Sequence, residues 1–160
     1  MNTVTRTLVF GSLLAIATPI AAVSAQAGDP VIGTWELNVA KSKYTPGPAP
    51  KSETRTYTAA AKGYTFSSKG VDAQGNPTNV TFAAPLDGKY HPMIGSPTAD
   101  SIMVKRIDAN TTESTQKKGA KVVTTTTRVI SKDGKTLTTT SKGTDAAGKP
   151  TSAVMVFDKK

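Results

Sequence analysis

From Gly28 onward no stretch of the chain carries apolar residues at helical spacing. Short runs rich in Thr and Val recur instead, each bounded by Gly, Pro, Asp or Asn. This is the pattern of consecutive antiparallel strands, and it restricts the chain to an all-β fold. Ten strands are predicted, at about 32–40, 53–60, 64–71, 78–84, 89–94, 101–107, 111–117, 122–131, 136–143 and 152–159. Lys62-Gly63, Asp87-Gly88, Lys118-Gly119 and Asp133-Gly134 supply the positive φ of tight hairpins. Gln74-Gly75-Asn76-Pro77 and Ala147-Gly148-Lys149-Pro150 read as longer turns, with proline entering the next strand. Strands joined in order by short turns form an open meander or a barrel. Closure removes the exposed edges, so the expectation is an up-and-down antiparallel β-barrel of about ten strands, within a range of roughly 8–10.

The barrel does not use the whole chain of 160 residues. Residues 1–27 read as a secretory signal: Arg6, then an apolar run from Leu8 to Val23, then the small residues of Ala25-Gln26-Ala27. Cleavage after Ala27 leaves a domain of residues 28–160 beginning at Gly28; cleavage after Ala25 is the alternative. The apolar run is short and rich in small residues for a membrane span. With no cysteine in the chain, neither a disulfide nor a lipid anchor on cysteine is available. The expected location is therefore the periplasm or the external medium, as a soluble monomer. Removing Arg6 from the 20 basic side chains leaves 19 against 11 acidic ones, about +8. Such an excess favours anionic partners, although the lysines are scattered along turns and strand ends rather than blocked together.

Alternation at period two assigns the faces. Trp35, Leu37 and Val39 share one face of the first strand; Tyr64 goes with Phe66, Val80 with Phe82, and Met155 with Phe157. The later strands are mostly threonine on both faces (Thr124 to Thr127, Thr138 to Thr140). A barrel lined so sparsely by large apolar groups either collapses or keeps a partly polar, hydrated cavity. Three arginines fall in phase with apolar neighbours: Arg55 with Tyr57, Arg106 with Ile102 and Val104, and Arg128 with Ile130. An inward guanidinium needs an acceptor, which a ligand carboxylate or phosphate would supply; at a barrel end it would find water instead.

Other features have plainer readings. Lys69–Thr78 and Lys142–Thr151 resemble each other around Asp72 and Asp145, as one hairpin geometry used twice would. Lys41–Lys51 is stiffened by three prolines and links the first two strands, with room to fold over one end of the sheet.

Gly33-Thr-Trp35 on the first strand resembles the Gly-x-Trp opening of the calycins, the lipocalins and fatty-acid-binding proteins. Val156-Phe-Asp-Lys159 is similar to the closing strand of the latter. Arg128, four residues before Lys132-Asp-Gly-Lys135, resembles their interior arginine ahead of an Asp-Gly-Lys turn. Gly33-Thr-Trp-Glu-Leu-Asn38 with Lys41-Ser42 and Gly47-Pro48 resembles a group of small exported bacterial lipocalin-like proteins. The resemblance implies a calycin-like barrel with Gly33 and Trp35 in structural roles, Trp35 across one closed end. Two departures matter. Residues 41–51 are too short and proline-rich for a two-helix lid, and the carboxylate-binding Arg-x-Tyr of the last strand falls on Met155 and Phe157.

Catalytic chemistry finds little footing. The one histidine, His91, has no cysteine with which to build a zinc site, and no nucleophile motif surrounds Ser96 or Asp100. No metal, cofactor or nucleic-acid partner is expected. The function read from the sequence is an exported binding protein for a small amphipathic or lipid-like, anionic ligand. Arg106, Arg128 and Arg55 would face its charge, and Tyr57, Phe66, Phe82, Tyr90, Met155 and Phe157 would supply apolar contact. The alternative is a cell-envelope interaction protein, an enzyme inhibitor or adhesion factor, acting through its basic outer surface.

Overall fold

The computed structural model describes residues 28–160 except Ala146; the signal segment expected at residues 1–27 lies outside the described residues. Eleven strands follow one another: β1 Gly33–Leu37, β2 Lys43–Thr45, β3 Ser52–Ala59, β4 Tyr64–Val71, β5 Pro77–Ala84, β6 Tyr90–Ile94, β7 Ser101–Arg106, β8 Thr111–Lys118, β9 Lys121–Ile130, β10 Thr136–Thr144 and β11 Pro150–Lys159. Every neighbouring pair is antiparallel, from β3 through to β11, and β1 bonds to both β3 and β11. The sheet therefore meets itself. It is an up-and-down barrel of ten strands with β2 as an addition.

The ten expected strands are all present, and the four short Gly turns adopt the positive φ they were expected to supply. The first strand is the exception. It stops at Leu37, and Val39–Lys41 form a single 3-10 turn with the Asn38 side chain accepting from the Lys41 N–H. Val39 therefore leaves the inner face and is exposed. β2 then resumes along β11, pairing Lys43 to Thr45 with Val154 to Ser152. Across the break the hydroxyl of Ser42 accepts from the Val156 N–H at 3.0 Å and donates to the Asn38 carbonyl at 2.8 Å. A side chain thus takes the place of a missing ladder group. The proline-stiffened stretch contains a strand, which its composition concealed.

The two similar segments form the same turn. Asp72 and Asp145 each donate their N–H four residues on, to Asn76 and Lys149, and each accepts that residue's N–H on its own carboxylate.

The barrel's two ends differ. The turns after β3, β5, β7 and β9 meet the segment 28–32 at one end, and this end is plugged. Val31, Trp35, Tyr64, Ala84, Val104, Ile130, Leu137 and Phe157 pack there, Trp35 fully buried with its indole N–H on the Val31 carbonyl at 2.8 Å. Lys159 lies against Gly33, its Cε 3.0 Å from where a Cβ would stand. Towards the other end the inner face becomes Ser, Thr and Gln: Ser68, Ser114, Gln116, Thr126, Thr139 and Ser141. The threonine-rich sequence of β8 to β10 thus places hydroxyls on the lining and on the outer wall alike.

Candidate functional site

Between plug and hydroxyl collar the barrel keeps a cavity of about 170 Å³, lined from β3 to β11. That volume equals roughly five or six waters, and is close to the ~150 Å³ that holds a benzene ring in an engineered core. Deep in it, Tyr57, Phe66 and Phe82 form an aromatic step. The ring centres of Tyr57 and Phe66 stand 5.1 Å apart edge-on, and those of Phe66 and Phe82 4.5 Å apart and stacked. Val80, Met93, Ile102 and Met155 complete the apolar side.

Two guanidiniums enter this space, in different states. Arg55 carries its own counter-ion. Its Nε and Nη2 meet the two carboxylate oxygens of Glu53 at 2.8 and 3.3 Å, Nη1 donates to Thr139 at 3.2 Å, and the group lies 4.1 Å over the Phe157 ring. Glu53 and Arg55 are two residues apart on one strand, so the pair is local and forked.

Arg128 has no such partner. It is 6% exposed, and it donates from Nη1 to the Tyr64 hydroxyl at 2.7 Å and to Thr112 at 3.3 Å. Its charge faces the rings of Tyr57 at 4.9 Å and Tyr64 at 5.8 Å. Among the described residues no carboxylate bonds to it, and its Nε is buried without a partner. Burial pulls the Arg128 pKa down, and ionised Tyr57 and Tyr64 would push it up past its ordinary value. The oxygens that the guanidinium N–H groups meet are the Tyr64 phenol and the Thr112 hydroxyl, with the faces of the Tyr57 and Tyr64 rings beside them. Desolvation in turn pushes the Tyr64 phenol up, against the opposing pull of Arg128.

Three further buried hydroxyls have no partner among the described residues: Tyr57 on the cavity wall, Tyr44 and Thr144. Burial, and then the nearby Glu53, push the Tyr44 phenol up to about 12. Tyr44 comes from β2, whose inward phase was hidden within the Pro-rich stretch.

Of the residues expected to face a ligand, the cavity brings together Arg55, Arg128, Tyr57, Phe66, Phe82 and Met155. Phe157 lies deeper, fully buried in the plug beneath Arg55. Arg106 and Tyr90 do not line it. Arg106 keeps the inward phase of Ile102 and Val104 but ends its strand beyond the plug. There it forms an ion pair with Asp29 and donates to the Ala109 carbonyl, holding the N-terminal segment across the closed end. Tyr90 points outward, under the Lys117 ammonium at 3.8 Å. Its strand is the short β6, where neighbouring His91 pairs with inward Ile102 and bonds to Asp87 at 2.9 Å. Sequence reading missed Glu53, Ser68, Ser114, Gln116, Thr126, Thr139 and Ser141, which share the inward phase of Arg55, Phe66 and Arg128. Period-two counting outward from Arg128 would have found Thr126, and from Arg55, Glu53. Among the described residues no three of His, Cys, Asp and Glu gather into a metal-holding cluster.

No family model and no curated protein matches the chain. Among solved structures it is similar to zebrafish ileal bile acid-binding protein in complex with cholic acid. That match has 14% identity and a TM-score of 0.47, and covers 82% of this chain and 99% of the other.

Proposed function

We infer that this chain is an exported binding protein, holding a small amphipathic anion in the barrel with its charged group on Arg128 and its apolar part on Tyr57, Phe66 and Phe82. The observation that carries the reading is the unmatched guanidinium. A buried cation without a counter-ion costs several kcal/mol, and an entering carboxylate or phosphate would offset that while bonding to Nε. Arg55, satisfied by Glu53, would shape the site rather than bind the charge. The cavity lies below the ~300 Å³ at which drug-sized pockets begin. It suits a single ring or a short acyl chain, or the head of a longer amphiphile whose tail leaves through the polar collar. Export rests on the pattern of residues 1–27.

Calorimetric titration with benzoate and octanoate, each beside its uncharged primary amide, tests the reading. Binding of an acid but not of its amide is expected, and loss of that binding in Arg128→Met. Equal binding of acid and amide, or none of either, would refute it.

A further inference from the structure

The charge is unevenly distributed over the two ends of the barrel. At the plugged end the carboxylates Asp29, Glu36, Asp87, Asp108, Asp133 and Asp158 nearly match the basic groups in number. Asp29, Glu36 and Asp87 pair with Arg106, Lys160 and His91, while Lys62, Lys89, Lys132 and Lys135 are in no ion pair among the described residues. Around the open end stand Lys51, Lys69, Lys118, Lys121, Lys142 and Lys149, all exposed and none in an ion pair among the described residues. The carboxylates of that rim are committed to backbone N–H groups of the rim loops. Asp72 accepts from Asn76, Asp100 from Gly119, and Asp145 from Ala147 and Lys149.

Apolar groups accompany these lysines. Val122, next to Lys121 at the β8–β9 hairpin, is 47% exposed. A hollow of about 280 Å³ on this rim is flanked by Lys118 and Lys121, with Pro97, Thr98 and Val123 on its walls. Unpaired cations beside exposed aliphatic side chains fit an anionic headgroup layer with hydrocarbon beneath it, whereas a soluble polyanion would use only the lysines.

We propose that the open end of the barrel docks on a bilayer containing anionic phospholipid, with Lys118 and Lys121 on headgroups and Val122 at the depth of the upper acyl chains. Docked this way, the cavity mouth faces the membrane. The proposal does not depend on whether the cavity takes a ligand.

Co-sedimentation with phosphatidylcholine vesicles, with and without phosphatidylglycerol, tests it. Binding is expected only with the anionic lipid, and weaker at high salt. A lysine near such a surface contributes about fivefold in affinity, so Lys118→Gln/Lys121→Gln lowers binding roughly 25-fold. Lys132→Gln/Lys135→Gln, the same charge change at the plugged end, leaves it nearly unaltered. In a Val122→Trp variant the new indole emission shifts to the blue with anionic vesicles. Equal losses in the two double variants, no blue shift, or binding to heparin but not to anionic vesicles would each overturn the proposal.

Discussion

Replacing Arg128 by methionine should make the empty protein more stable while removing its capacity to bind an anion. The change deletes two hydrogen bonds from a charged donor, about 3 kcal/mol together, about 1 kcal/mol of ring-face attraction, and about 1 kcal/mol for the bared Tyr64 hydroxyl. Against this it relieves the desolvation of an unpaired cation, ~5 kcal/mol, and removes the orphaned Nε, ~2 kcal/mol. The balance is a gain of about 2 kcal/mol. In a domain of this size 1 kcal/mol moves the melting temperature by about 3 to 4 °C, so Arg128→Met should melt ~7 °C higher. Urea titration gives the free energy directly, with an unchanged m value showing that the same surface is exposed on unfolding. Saturating benzoate or octanoate should raise the melting point of the parent protein and leave the variant's alone. A variant less stable by more than about 1 kcal/mol, with no anion effect on the parent, would mean that Arg128 is a structural strut already satisfied by the two tyrosines.

Arg55→Met should behave oppositely, losing about 3 to 5 kcal/mol in the same titration, because it strands the Glu53 carboxylate. Gly95→Ala should lower stability and loosen the loop at the cavity mouth, measurable by hydrogen exchange, because its Cβ would stand 1.9 Å from the Asn79 carbonyl oxygen. Melting temperature should also fall at both pH extremes. Asp72, Asp100 and Asp133 sit below their ordinary carboxylate pKa through the hydrogen bonds of their turns. A depressed folded pKa gives stability that is present above the unfolded value, near ~3.9, and lost as pH drops through the folded one. Tyr44, raised to about 12, gives stability that is full below the unfolded value, near ~10, and lost as pH climbs towards 12. Melts followed across pH, with tyrosinate absorbance at the alkaline end, check both; a flat profile on either side contradicts the corresponding group. The mature protein should begin at Gly28 by mass spectrometry, and a start at Met1 would remove the basis for export.

The strand pattern was legible because it rests on local rules: Gly at positive φ, Pro at strand entries, and alternation at period two. Those rules also brought Arg55, Arg128, Tyr57 and Phe66 to one lining. They failed where position along the barrel axis decided the outcome. Arg106 has the correct phase, but periodicity does not say that the plug ends one residue pair earlier at Val104, nor that Asp29 waits beyond it. Tyr90 failed for a different reason: its strand is short, bonded to β5 only at Thr81–Ile94 and Phe82–Met93, and its phase could not be fixed from so few residues. β2 was hidden because its three residues pair with a strand more than a hundred positions away, and a stretch rich in proline gives no local sign of that. The distinction between a satisfied and an unsatisfied arginine was out of reach of the sequence, since it depends on which acceptors tertiary packing places within 3 Å.

The ladder between β1 and β11 joins Trp35 to Lys159, and Lys160 donates its N–H to the Thr34 carbonyl at 2.9 Å. The closing seam is thus made by residues 34–37 and 157–160, more than a hundred positions apart. A growing chain can lay down each hairpin in turn, yet the cylinder stays a curled ribbon with two bare margins until β11 is free to pair with β1. Removing residues 157–160 would take away every ladder partner of β1 on β11 and leave the seam spanned by the Asn38–Val156 bond and the short β2 ladder alone, loosening the wall over Trp35 and the plug.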